Sequence, residues 1–157
     1  MRNKAKNLTY GALIAAVYVT LAHLQNFLLP GSASAMIQVR IAEVLCIFAF
    51  FTPAAIPGLS IGCFLFNLTS SMALPLDFVI GTAATALAAG GMYLLRKRPY
   101  FGFLLPAIFN GLLVGWELSV YIGGGFWMNA IYVAIGEVIA MALSVPLYFT
   151  VKKHHLH

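Results

Sequence analysis

Long apolar runs, separated by short clusters of proline, glycine and charge, follow one another along the whole chain. Residues 8–29, 37–51, 54–72, 77–95, 101–122 and 126–151 are almost continuously apolar. A membrane-spanning helix needs roughly 20 such residues. The breaks fall where turns are wanted, at Pro30-Gly31, Pro53 and Pro57, Pro75, Pro99 and Gly123-Gly124-Gly125. The pattern predicts an all-α membrane protein, a compact bundle of six transmembrane helices in a single domain over residues 1–157. The second run is short, and its start is hidden in the Gly/Ser/Ala stretch at 31–35. Five spans with one re-entrant segment satisfy the pattern as well.

Composition removes the soluble alternatives. Hydrophobic residues make up 62% and charged residues 8%, against about 25% charged in soluble domains. A mean hydropathy of +0.93 over 157 residues is more than one soluble core of this size can bury. The first run is too long for a cleavable signal peptide and lacks a cleavage site. No linker, low-complexity region or internal repeat interrupts the chain.

Charge sets the expected orientation. Arg2, Lys4 and Lys6 precede the first run, Arg96, Lys97 and Arg98 follow the fourth, and Lys152 and Lys153 follow the sixth. Six crossings put all of these on one side and Arg40 on the other. The excess of Lys and Arg on cytoplasmic loops then makes both termini cytoplasmic. The pI near 9.4 reflects this topology rather than nucleic-acid binding.

The acidic side chains are Glu43, Asp77, Glu117 and Glu137, each in or at the edge of an apolar run. Ionisable groups in a membrane are expensive and mark function by default. Gln38, Arg40 and Glu43 open the second run at its outer end, and Arg40 and Glu43 are three residues apart. On a helix that spacing makes them neighbours, so they read as partners at the rim of a site. Asn67 lies near the outer end of the third run, Asp77 begins the fourth, and Glu117 is near the outer end of the fifth. Asn110 and Glu117, seven apart, share a helical face. Asn129 begins the sixth run, and Glu137 lies about 16 Å in from the run's start at 1.5 Å per residue. Trp116 and Trp127 suit either stacking on a flat ligand or an interfacial belt. Almost all strongly polar groups are thus in the outer half, which suggests a pocket open to the outside rather than a proton wire.

Other features bear on partners and chemistry. Ala12/Ala16, Gly58/Gly62, Ala86/Gly90, Gly111/Gly115 and Ala130/Ala134 place small side chains one turn apart, a spacing that lets helices approach closely. Cys46 and Cys63 read as small apolar packing residues. The tail KKHHLH has no acidic or cysteine partner and is a poor metal site. The chain has no phosphate-binding loop, no HExxH and no GxSxG, and His23 has no nucleophile to serve. A pocket without an engine implies a partner that supplies one.

The segments IQVRIAEVL (37–45), PAAIPGLSIGCFLFNL (53–68), LDFVIGTAATALAA (76–89), FNGLLVG (109–115) and VAIGEVI (133–139) together resemble the queuosine-precursor transporter family. Its members are substrate-binding S-components of energy-coupling-factor (ECF) transporters. Gln38, Arg40, Glu43, Asn67, Asp77, Asn110 and Gly136-Glu137 match the family's polar positions, while Ala42 stands where the family carries serine. The resemblance implies a plasma-membrane protein of a prokaryote that takes up a 7-deazaguanine base without itself being an enzyme or needing a cofactor. It also implies assembly with a transmembrane coupling protein and two cytosolic ATPases, docked through Ala12 and Ala16. The expected substrate-binding set is Gln38, Arg40, Glu43, Asn67, Asp77, Asn110, Trp116, Glu117, Asn129 and Glu137, with Glu137 and Asn110 the foremost direct ligands. The alternatives are an S-component for another small nutrient, such as a vitamin, and a partner-free channel or structural subunit.

Overall fold

A computed structural model describes residues 2–30, 32 and 37–155. In chain order the elements are α1 (Arg2–Leu28), a 3-10 helix (Ile41–Phe50), α2 (Ala55–Thr69), α3 (Asp77–Leu94), the one-turn α4 (Pro99–Gly102), α5 (Leu105–Tyr121) and α6 (Phe126–His155). No strand occurs among the described residues. The segments Lys4–Leu28, Asp77–Leu94, Pro99–Tyr121 and Phe126–His154 are long and apolar enough to cross a membrane. The 3-10 helix and α2 are shorter, at 10 and 15 residues. The expected start of the second run, at 31–35, lies outside the described residues except for Ser32.

The second run owes its shortness to its winding. A 3-10 helix rises about 2.0 Å per residue, so ten residues cover about 20 Å where an α-helix covers about 15 Å. Such a long 3-10 stretch is uncommon, and here it is encased. Ala42, Glu43, Leu45, Cys46, Ile47, Ala49 and Phe50 are buried, and α1, α2, α3 and α6 all pack against it. Three residues per turn align Glu43, Cys46 and Ala49 in one column.

Around this central helix α1 packs on α2, α2 on α3, α3 on α5 and α5 on α6. Small residues set the spacing. A Cβ on Gly58 would stand 2.6 Å from the Gly11 carbonyl oxygen of α1, and one on Gly115 would stand 2.6 Å from Ala130 Cα of α6. The Gly111/Gly115 and Ala130/Ala134 pairs therefore pack on each other, and Gly58/Gly62 packs on α1. By contrast Gly90 has open space around it, and Ala12 and Ala16 are exposed. The turn into α6 is made by Gly123 (φ 90°) and Gly124 (φ 80°), a left-handed region that glycine enters freely. At the end of the bundle away from that turn, Phe50, Phe103 and Tyr148 stack with ring centroids 5.3–5.7 Å apart.

The tightest backbone approach at a glycine gives a stability test. A Cβ on Gly136 of α6 would overlap the Gln38 backbone carbonyl, and a main-chain atom cannot swing aside. Gly136→Ala should therefore destabilise the protein by at least the roughly 1–3 kcal/mol of an overpacked core. Gly90→Ala meets nothing within 4 Å and should gain about 0.5–1 kcal/mol of helix preference. Thermal unfolding of both variants in one detergent checks this; a Gly136→Ala protein as stable as Gly90→Ala contradicts the packing.

Candidate functional site

The site is built where extended chain turns into the 3-10 helix. Residues 38–40 are outside any helix, so their backbone groups need partners from elsewhere. Gln25 of α1, buried within an apolar run, supplies them. Its side-chain oxygen accepts the Ile41 N–H at 2.8 Å, and its amide donates to the Val39 carbonyl and to Ser32 Oγ. Gly136 lets the Gln38 backbone press directly on α6. Gln38 and Arg40 are thereby fixed from two sides, and both are buried.

Arg40 does not pair with Glu43 as the sequence suggests. Its guanidinium donates to Asn67 Oδ1 at 3.0 Å. Arg40 sits in extended backbone (φ −97°, ψ 100°) just before the helix, so the three-residue spacing no longer places the two side chains on one helical face. Asn67 in turn donates to the Asp77 carbonyl at 2.9 Å and to Cys63 Sγ at 3.4 Å. The Asp77 carboxylate accepts the Leu74 N–H at 2.7 Å, which ties down the 70–77 connection. A Cβ on Gly81 would fall 2.8 Å from the Asn67 amide nitrogen, so that glycine makes the room Asn67 uses.

Glu43 is completely buried and well supplied with donors. Tyr18 Oη donates to its Oε1 at 2.6 Å, Thr85 Oγ1 to the same oxygen at 3.4 Å, and Cys46 Sγ to Oε2 at 2.9 Å. Glu43 thus links α1, α3 and the 3-10 helix. Both cysteines are free and buried, but they are more than apolar filler, because each sulfur joins this polar network. Tyr18, Gln25 and Thr85 are absent from the residues singled out in the sequence. A glutamine in the first apolar run, and a tyrosine deep in a run rather than at its end, were the available signals.

Three buried side chains are left without such support. Asn110, Glu117 and Glu137 are fully buried, and neither polar side-chain atom of Asn110 or Glu137 has a hydrogen-bond partner. Glu117 has Asp77 and the Leu76 backbone as its polar neighbours, and neither of its carboxyl oxygens has a hydrogen-bond partner. The charged neighbours of Glu137 are Glu43 and Arg40. Burying a carboxylate without donors is costly, and structures retain such groups where something else meets them.

A cavity of about 70 Å³ is lined by Gln38, Arg40, Asn67, Asp77, Val114 and Leu118 among others, and Asn110, Glu117 and Glu137 do not reach its lining. Asn110 is one turn below Val114 on α5. Small-molecule sites commonly enclose roughly 300–1,000 Å³, so this is a small vestibule. The remaining expected residues lie elsewhere. Trp116 and Trp127 are 50% and 70% exposed, Trp127 standing edge-on to Phe126. Asn129 donates to the Gly123 carbonyl at 3.0 Å and so pins the glycine turn. His23 meets Thr69 Oγ1 at 3.0 Å. Among the described residues, no group of three His, Cys, Asp or Glu side chains is placed to hold a metal ion.

Comparison with known proteins bears on this arrangement. The family described as QueT transporter matches residues 8–153. The thiamine precursor transporter HmpT of Lactococcus lactis subsp. cremoris (strain MG1363) is 30% identical over 158 residues, covering 92% of this chain and 89% of that protein. No solved structure matches the chain.

Proposed function

Because the chain belongs to the QueT transporter family, and is on that ground a multi-pass plasma-membrane transport protein, we propose that it is the substrate-binding S-component of an ECF transporter. Its substrate is a small, flat amino-heterocycle taken from the outer side. The observation that carries this reading is the fully buried Asn110 and Glu137, whose hydrogen-bonding groups no protein atom meets. A ligand with adjacent N–H and NH₂ donors satisfies a carboxylate, and an amide such as Asn110 serves a ring nitrogen or carbonyl. The Gln25, Asn67 and Glu43 networks hold Arg40 and the 3-10 helix in place around that ligand.

Two substrates fit this chemistry. A 7-deazaguanine base offers its N1–H and 2-amino group to a carboxylate and its O6 to Asn110, Gln38 or Arg40. The similarity to a thiamine precursor transporter supports equally a vitamin precursor, such as a pyrimidine with an amino group beside a ring nitrogen. In both, a buried site that loses its matched partner discriminates strongly. A channel is disfavoured because the end opposite the vestibule is filled by Phe50, Phe103 and Tyr148 rather than by a polar track. Binding requires the vestibule to widen, with the 70–76 connection parting from the outer end of α5.

The experiment is a calorimetric titration with a 7-deazaguanine base, with the aminopyrimidine of thiamine and with adenine. Tighter binding of the deazaguanine than of adenine is the expected result. A preference for the aminopyrimidine selects the second substrate, and equal affinities or no binding by folded protein rule out both.

A further inference from the structure

At the end of the bundle away from the vestibule, α1 and α6 flank the 3-10 helix without closing on each other. Between them runs a groove of about 550 Å³. Leu13, Val17, Leu147 and Val151 form its walls, and Leu45 and Phe48 its floor. Asn7 and Thr52 add polar groups to its lining. Among the described residues, the same end carries four exposed lysines, Lys4 and Lys6 on the first turns of α1 and Lys152 and Lys153 on the last turns of α6. Lys152 holds its ammonium 5.8 Å over the Tyr148 ring, one residue from the groove wall at Val151.

Among the described residues these cations have no Asp or Glu counterpart nearby. The chain's four Asp and Glu side chains are Glu43, Asp77, Glu117 and Glu137; Glu43, Glu117 and Glu137 are fully buried, and Asp77 caps its own connection. An apolar trough that ends in unneutralised lysines needs a partner with an apolar chain and an anionic head. Basic pockets between helices at a membrane face take anionic lipid head groups, and lysine stems lie along apolar surface while their heads reach the charge. We infer that the α1–α6 groove binds one anionic phospholipid, its acyl chain against Leu45 and Phe48 and its phosphate among Lys4, Lys6, Lys152 and Lys153. At roughly 100° per residue, Ala12 and Ala16 lie on a different face of α1 from Leu13 and Val17. Lipid in the groove therefore leaves the alanine strip free.

The test uses delipidated, purified protein mixed with phosphatidylglycerol or phosphatidylcholine of identical acyl chains, with retained lipid counted by native mass spectrometry. Phosphatidylglycerol should be retained at a concentration at least about tenfold lower than phosphatidylcholine. The triple variant Lys6→Gln/Lys152→Gln/Lys153→Gln should lose that preference, whereas Lys97→Gln, on the α3–α4 turn, should keep it. Val17→Trp, which fills the groove, should reduce retention of both lipids, and thermal unfolding reports whether each variant is folded. Equal retention of the two lipids by the unaltered protein overturns the site. So does a preference that survives the triple variant, one lost equally in Lys97→Gln, or a folded Val17→Trp protein that retains lipid unchanged.

Discussion

Glu137→Gln is expected to weaken substrate binding by about 1.5–3 kcal/mol, roughly ten- to 150-fold, the range for a hydrogen bond to a charged group. The substitution keeps the shape of the side chain and replaces half of its acceptor surface with donors. Because no protein donor meets the Glu137 carboxyl, the folded protein loses no hydrogen bond, and its unfolding temperature should hold or rise. Glu43→Gln is the contrast. That carboxylate accepts from Tyr18, Thr85 and Cys46, so its loss should appear first as lowered stability. Titration and thermal unfolding of both variants separate the two roles. Unchanged affinity in a folded Glu137→Gln protein would leave Glu137 a structural residue.

The second large effect is expected on transport rather than on binding. Ala12→Leu/Ala16→Leu should abolish uptake while leaving substrate affinity within a few-fold of the unaltered protein. Gly11, Ala15 and Tyr18 face the neighbouring α2 and are buried, whereas Ala12 and Ala16 are exposed. Leucines there meet nothing inside the protein but block the close approach of an outside helix. The chain has no nucleotide-binding motif, and concentrating a solute needs energy, so the strip is the proposed docking surface for the coupling protein. Pull-down of the coupling and ATPase subunits accompanies the titration. Lost substrate binding with retained assembly would reverse the assignment.

Much of this architecture was legible in the sequence because lipid leaves a simple record. The apolar runs 8–29, 77–95 and 126–151 correspond to α1, α3 and α6, each ending near a Pro, Gly or basic cluster. The winding of the second run was not legible. Nine apolar residues and Glu43 suit a 3-10 and an α-helix alike, and the neighbours that encase the segment, α1, α2, α3 and α6, are not written in its local pattern. The late start of that helix undid the expected Arg40–Glu43 pair, since Arg40 stands in extended backbone before it and a three-residue spacing pairs side chains only when both belong to one helix. Burial of Asn110, Glu117 and Glu137 followed from their type and depth. Their missing partners, and the Tyr18, Gln25 and Thr85 supports, depend on which helices become neighbours, which no local pattern records. Asn129 shows the reverse failure: a polar residue at the right depth is committed to its own glycine turn.

The proposed function stands on the completion of Asn110 and Glu137 by a small-molecule ligand. Mass spectrometry of the small molecules extracted from purified protein, compared with extracts of the Glu137→Gln variant, tests it most directly. The expected finding is a nitrogen heterocycle with an amino group beside a ring nitrogen, present in the first extract and depleted in the second. Finding no such compound in the first, or equal amounts in both, would contradict it.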